Sequence, residues 1–97
     1  MLPHEERRFK MFCQRALRLS QGKPGSLARK VAGAAGKSLS GLLNEVNLNR
    51  LRYGSGFYKL GVATLVTLCR VTRDTRPIQY ILRVAKRHPR QSLEAAA

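Results

Sequence analysis

Acidic residues are scarce in this sequence of 97 residues. Five Asp and Glu stand against nineteen Lys and Arg, which leaves a formal net charge of +14, and no acid occurs from residue 7 to residue 44. With so few carboxylates, and with His4 and His88 far apart in the sequence, no acid-base or nucleophile arrangement is visible, so we do not expect an enzyme. A charge of this sign favours polyanions, either nucleic acid or an anionic membrane surface.

Cysteine is also sparse. Cys13 and Cys69 are isolated and form no CxxC pair, so the sequence predicts neither a zinc site nor a disulfide framework. We expect both thiols to pack as small apolar side chains in a reducing cytoplasm. No metal and no cofactor is predicted.

Long hydrophobic runs are missing as well. The best candidate for a membrane span, residues 57–69, is too short for the hydrocarbon layer and contains Lys59. The first residues include Glu5 and Glu6 and lack the apolar segment of a secretory signal. We therefore predict no membrane contact and interpret residues 57–69 as part of a core helix, with an accessory subunit of a membrane complex as a weaker alternative.

Hydrophobic residues make up 43% of the chain, enough for one folded core. Their spacing predicts an all-α fold, a compact bundle of about five short helices. These are expected over residues 4–20, about nine residues after a Ser26 cap, residues 39–46 after a Ser38 cap, residues 60–72, and a last helix capped by Asp74 or Thr75. Residues 61–71 would tolerate a strand by composition, but the period of two is not kept. Residues 1–88 are predicted to form one domain, and residues 89–97 a flexible tail.

The apolar periodicity of the last two helices predicts a buried stripe on each of them. The expected stripes are Leu60, Ala63, Thr64, Thr67, Leu68 and Val71 in the fourth helix, and Ile78, Ile81, Leu82 and Ala85 in the fifth.

A glycine-rich stretch at residues 33–38, GAAGKS, suggests a phosphate-binding loop. That motif needs a further Gly at the position of Val31, and it follows a strand, whereas residues 26–34 have a helical pattern. We therefore reject nucleotide binding and expect no small-molecule substrate.

The same stretch fits a helix-turn-helix at about residues 27–47. Ala32 would be the small residue where the two helices touch, and Gly36 would allow a left-handed turn. Ser38 would cap the second helix, which Leu42 would anchor against the first. An ordinary helix pair in a bundle would show a similar pattern and remains an alternative.

Three segments in order resemble a known family. They are an FxxFCxRAL-like helix at residues 9–17, SLARKVAGAAGKSLSGLLNEVN at 26–47, and KLGVATLVTLCRVTRDTRPIQYILRVA at 59–85. The most specific parts are LLNEVN at 42–47 and LCRVTRDTRPIQYI at 68–81. This pattern resembles the phage regulatory proteins of the CII type. The resemblance implies a lambda-repressor-like fold, sequence-specific DNA binding and transcriptional control in a phage or prophage, in the cytoplasm of a bacterial host.

The polar side of the second helix of this motif supplies the candidates for contacts with base edges. They are Lys37, Ser38, Ser40, Gly41 and Asn44. The flanking cations suit phosphates, which give affinity and register without sequence information; these are Arg29, Lys30, Arg50 and Arg52. Glu45 is the one acid in this region, and we expect it to pair with a neighbouring Arg or to accept from cytosine.

Double-stranded DNA is thus the predicted partner. A homo-oligomer is expected, because one recognition helix contacts too few base pairs to be selective. A structural basic nucleic-acid-binding protein, such as a ribosomal or nucleoid component, is the main alternative, since net charge would serve it equally well. An RNA-binding surface would begin at Tyr53, Phe57 and Tyr58, which are close together in a basic loop.

Overall fold

Five α-helices follow one another along the chain in the computed structural model, which describes residues 1–51, 53 and 56–87. They are α1 (Pro3–Ala16), α2 (Ser26–Ala34), α3 (Leu39–Val46), α4 (Val62–Thr72) and α5 (Arg76–Lys86). Within these residues there is no strand, and β pairing is limited to two isolated bridges. The predicted all-α bundle of five short helices is confirmed. The predicted tail at 89–97 lies outside the described residues, as does His88.

The core draws on all five helices. α1 packs mainly on α5, α2 packs on α4 and α3, and α4 also contacts α1 and α5. The most deeply buried apolar side chains form one cluster. Its members with no exposed surface are Cys13, Leu17, Ala28, Val31, Leu42, Val46 and Leu68. Because every helix adds to one cluster, the position of α2 and α3 depends on the whole bundle.

The first helix is shorter than its apolar pattern predicted, ending at Ala16 and not near residue 20. Arg18 adopts a left-handed conformation with φ 54°. Its N–H donates to the Arg15 carbonyl, and the Leu19 N–H donates to the Gln14 carbonyl. These are the two bonds of a Schellman motif, which ends the helix although its apolar residues continue to Leu19.

The second helix begins at Ser26 itself, with Gly25 in the N-cap position and no side-chain cap. The predicted Ser26 cap is therefore wrong. In the fifth helix, Thr75 occupies the N-cap position, but its side chain makes no capping bond to the backbone. The Asp74 carboxylate instead accepts the Arg76 backbone N–H at 3.0 Å. Hydrogen bonds from the Arg76 side chain hold the pKa of Asp74 below its ordinary value.

The buried stripes of α4 and α5 are rotated relative to the prediction. In α4, Leu65 and Cys69 are buried and Ala63 is exposed, because this helix packs against α2 on one side and α5 on another. In α5 the buried residues are Pro77 and Tyr80. Leu82 is 54% exposed and Ala85 is exposed.

Both thiols are buried and free, as predicted. Burial raises the pKa of the Cys13 thiol to about 12 and also raises that of Cys69. Both therefore stay protonated near neutral pH. No group of metal-ligating side chains occurs in the part of the chain that the structure describes.

Candidate nucleic-acid interface

A tight turn joins α2 to α3. Gly36 has φ 67°, its N–H donates to the Gly33 carbonyl at 3.2 Å, and the Lys37 N–H donates to the Ala32 carbonyl at 2.9 Å. This is again a Schellman motif, with glycine where the left-handed conformation is required. The Ser38 hydroxyl then accepts the Gly41 N–H at 3.0 Å and caps α3. The two helices thus form a helix-turn-helix arrangement within residues 26–46.

The inner side of this arrangement is apolar. Ala32 is 3% exposed, and Val31, Leu42 and Val46 have no exposed surface. The three residues predicted to form the turn and the helix contact, Ala32, Gly36 and Leu42, thus lie in the turn or in the buried cluster. The outer side of α3 is held by this packing in a fixed orientation.

The candidates for base contact on α3 are engaged mostly within the protein. The Lys37 ammonium lies 2.8 Å from the Glu45 carboxylate. The Asn44 amide oxygen accepts from the Asn49 side chain at 2.7 Å. Glu45 also accepts the Gly61 N–H at 3.2 Å, which connects α3 to the start of α4. The pairing expected between Glu45 and an Arg is therefore made with Lys37.

These contacts restrict what α3 offers to a base. The Ser38 hydroxyl and the Gly41 N–H bond to one another, and a side-chain Cβ at Gly41 would lie 3.0 Å from the Ser38 oxygen. The Asn44 side chain has its oxygen engaged but keeps amide donors. Ser40 is exposed. Ser40 and the amide nitrogen of Asn44 are thus the candidate groups on α3 that these contacts leave for a base edge.

The phosphate candidates flank this surface. Arg29 and Lys30 are exposed on α2, and Arg50 is exposed in the loop after α3. The Arg50 guanidinium lies 5.6 Å from the centre of the Phe57 ring, a cation-π distance that orients it. Arg52 lies outside the described residues.

The loop after α3 has the form of a short hairpin. Arg50 and Phe57 form an antiparallel bridge. The Tyr58 N–H donates to the Asn49 carbonyl, and the Leu51 N–H donates to the Gly56 carbonyl, both at 3.1 Å. We call the described residues of 49–58 the post-helix hairpin. Arg50 thus follows α3 closely in sequence, and its bridge to Phe57 connects it to the segment that leads to α4.

A buried lysine holds the base of this hairpin. The Lys10 side chain of α1 is 1% exposed, and its ammonium donates to the Tyr58 carbonyl at 2.6 Å and to the Asn47 carbonyl at 3.1 Å. The neighbouring Gln14 amide donates to the Val46 carbonyl at 2.9 Å. Desolvation by burial lowers the pKa of Lys10. Helix α1 therefore binds the end of α3 and the last residue of the hairpin.

Sequence reasoning missed Lys10 because a lysine is ordinarily placed on the solvent side. One signal was present: Lys10 lies on the arc of α1 that also contains Phe9, Cys13 and Leu17, all of them buried.

Neither protein-family models, curated proteins nor solved structures give a match to this chain. The resemblance to CII-type regulators therefore depends on the three segments at residues 9–17, 26–47 and 59–85.

The Lys37–Glu45 pair yields the first prediction. Glu45→Gln keeps the size of the side chain and an oxygen for the Gly61 N–H, but it removes the charge that holds Lys37. If this surface binds duplex DNA, we expect the variant to bind it roughly fivefold more tightly, the equivalent of about 1 kcal/mol. The slope of log K against log salt should steepen by about one unit, because one more ammonium becomes available for phosphate. Fluorescence anisotropy across a salt series measures both.

Glu6→Gln is the matched control, since it also removes one carboxylate and releases a lysine, Lys59, from a 3.1 Å pair outside α2 and α3. An equal gain in both variants would mean that net charge, and not Lys37, is responsible.

Proposed function

We propose that this chain binds double-stranded DNA through α2 and α3. The observation on which this proposal depends is the α2-turn-α3 arrangement. Its turn and cap place the polar side of α3 outward, and its exposed neighbours Arg29, Lys30 and Arg50 suit phosphate contact.

Duplex DNA is favoured over single-stranded nucleic acid because five of the six aromatic rings are at least partly buried, and only Tyr53 is exposed, at 82%. Phe12 packs on Tyr80 with ring centres 5.3 Å apart. Phe57 is half-buried and is flanked by Lys10 at 5.8 Å and Arg50 at 5.6 Å. Single-strand binders need several exposed rings on which successive bases stack. These rings form no such platform.

The biological role we propose is sequence-specific transcriptional regulation in a phage or prophage, as the resemblance implies. One recognition helix contacts only a few base pairs, so selectivity would require a homo-oligomer on a site of matching symmetry. The cytoplasm of the bacterial host is the corresponding location. None of the described helices combines the length and apolarity needed to traverse a bilayer.

A second candidate function is structural binding to nucleic acid without sequence preference. The internal bonds of Lys37 and Asn44 favour it, because they leave few groups on α3 for base edges. Exposed cations alone would then supply the affinity, as in basic ribosomal or nucleoid components.

One experiment separates the two functions. Random-sequence duplexes are selected for binding, and the enriched pool and the starting pool are compared by anisotropy across a salt series. If the chain is a regulator, several rounds of selection should enrich duplexes that share a symmetric site. The chain should bind that site roughly 1000-fold more tightly than random DNA. The structural candidate should show tight, salt-sensitive binding without enrichment.

The variant Arg29→Gln/Lys30→Gln tests whether α2 and α3 form the binding surface. Removal of two phosphate contacts should lower the salt slope by about two units on every duplex. An unchanged slope in a variant that keeps its helical circular dichroism would contradict the proposed function.

A further inference from the structure

A second cationic surface lies between α1 and α5. A groove of about 330 Å³ separates the two helices and is lined by His4, Arg7, Arg8, Met11, Tyr80 and Arg87. None of these residues belongs to α2, α3 or the post-helix hairpin. The groove is therefore separate from the helix-turn-helix surface.

The acidic side chains described on or beside α1 and α5 are engaged in other contacts. Glu5 is 8% exposed and accepts the Leu2 N–H at 2.8 Å. Glu6 is paired with Lys59 at 3.1 Å. Asp74, at the far end of α5, is paired with Arg76 at 2.6 Å. Among the residues that the structure describes, no carboxylate lines the groove, so its described lining is cationic.

The cations continue beyond the groove as a row. Arg15 of α1 is exposed and shares a helix face with His4, Arg8 and Met11 by spacing. On α5 the Arg83 guanidinium lies 5.8 Å from the centre of the Tyr80 ring, which holds it beside the groove. From residue 4 to residue 15 a helix rises about 16 Å. Over that length a duplex carries roughly ten phosphate charges.

We propose that the α1/α5 groove binds the phosphates of a second duplex segment, so that one protein links two segments of DNA. The inference depends on the proposed function only in that α2 and α3 hold the first segment. Guanidinium groups match phosphate oxygens in geometry and stay charged at every physiological pH. A protein partner would need a larger apolar centre than Met11 provides. A lipid surface would need a broad apolar face.

The test uses the full chain with two duplexes, one labelled with a donor and the other with an acceptor fluorophore. The wild-type protein should bring them together and give energy transfer at about 0.1 M salt, where charges are screened beyond about 10 Å. Arg7→Gln/Arg8→Gln should reduce the transfer about tenfold through the loss of two phosphate contacts, and it should leave the binding of a single duplex by α2 and α3 nearly unchanged.

The matched control is Arg70→Gln/Arg73→Gln, which removes the same charge from exposed positions at the end of α4. This control should keep the transfer. Equal losses in both double variants would overturn the proposal, because they would show an effect of net charge alone. Full transfer by Arg7→Gln/Arg8→Gln would overturn it as well, since oligomers or other surfaces would then link the duplexes.

Two further outcomes are distinguishable. If Arg29→Gln/Lys30→Gln keeps single-duplex binding while Arg7→Gln/Arg8→Gln abolishes it, the proposed function fails and the groove stands as a DNA site. If Arg7→Gln/Arg8→Gln keeps the transfer but loses affinity for polyglutamate, the groove belongs to an acidic protein partner and the proposal is overturned. Circular dichroism of each variant shows that the helices are intact.

Discussion

Leu42→Ala is expected to lower the free energy of unfolding by about 2 to 5 kcal/mol. Leu42 has no exposed surface and lies in the buried cluster formed by all five helices. Its removal from α3 takes away transfer free energy and leaves a cavity that the rigid bundle can only partly close. Since this residue anchors α3, affinity for duplex DNA should fall along with stability. Urea unfolding followed by circular dichroism measures the change in midpoint.

The control for this prediction is Leu82→Ala on α5. It removes the same atoms from a side chain that is 54% exposed, so the cost should stay within about 0.5 kcal/mol. A comparable decrease in the free energy of unfolding in both variants would contradict this expectation. It would mean that Leu82 is buried in solution, for example against a second copy of the chain.

Leu42 and Leu82 also show what the apolar periodicity of the sequence could and could not predict. Apolar spacing identified five helices, since each has a stripe facing a shared core. It failed for Leu82, because a helix packed on two neighbours buries an arc that depends on where those neighbours lie. In α5 that arc is centred on Pro77 and Tyr80. The sequence contains no local signal for the direction of packing.

Helix ends were predictable where glycine or a capping hydroxyl marks them. Gly36 and Ser38 bound the turn between α2 and α3, as their chemistry requires. The end of α1 was not predictable, because Arg18 takes the left-handed conformation that glycine usually takes. An arginine there gives no warning, and the apolar pattern runs past it.

The candidate site was predictable in its residue types but not in its pairings. Cations on α2 and polar groups on α3 follow from the sequence alone. The Lys37–Glu45 pair joins the end of the turn to the last part of α3, and the Asn44–Asn49 bond needs the chain to fold back after α3. Neither pairing is indicated by helical spacing, and both change which polar groups stay available on α3.

Lys10→Met should lower the free energy of unfolding by about 1 to 3 kcal/mol. Methionine keeps the apolar stem, but the carbonyls of Asn47 and Tyr58 lose the ammonium that bonds them. Relief from burying a charge offsets part of this cost. The loss should be concentrated at the hairpin, so hydrogen exchange of the Tyr58 and Leu51 amides should accelerate more than exchange in α1. Lys59→Met is the control, since it places the same apolar side chain at an exposed position.

The pH dependence of this effect has a definite sign. Burial lowers the pKa of Lys10 in the folded protein, whereas the unfolded chain keeps the ordinary value of about 10.4. Between these two values the unfolded chain binds more protons, so the contribution of Lys10 to stability rises with pH. The methionine variant lacks this titration, and a neutral amine can still donate to both carbonyls. The stability gap between wild type and Lys10→Met should therefore widen as pH approaches 10.4. A constant gap would mean that the ammonium is hydrated in solution, and that α1 does not hold the hairpin through a buried charge.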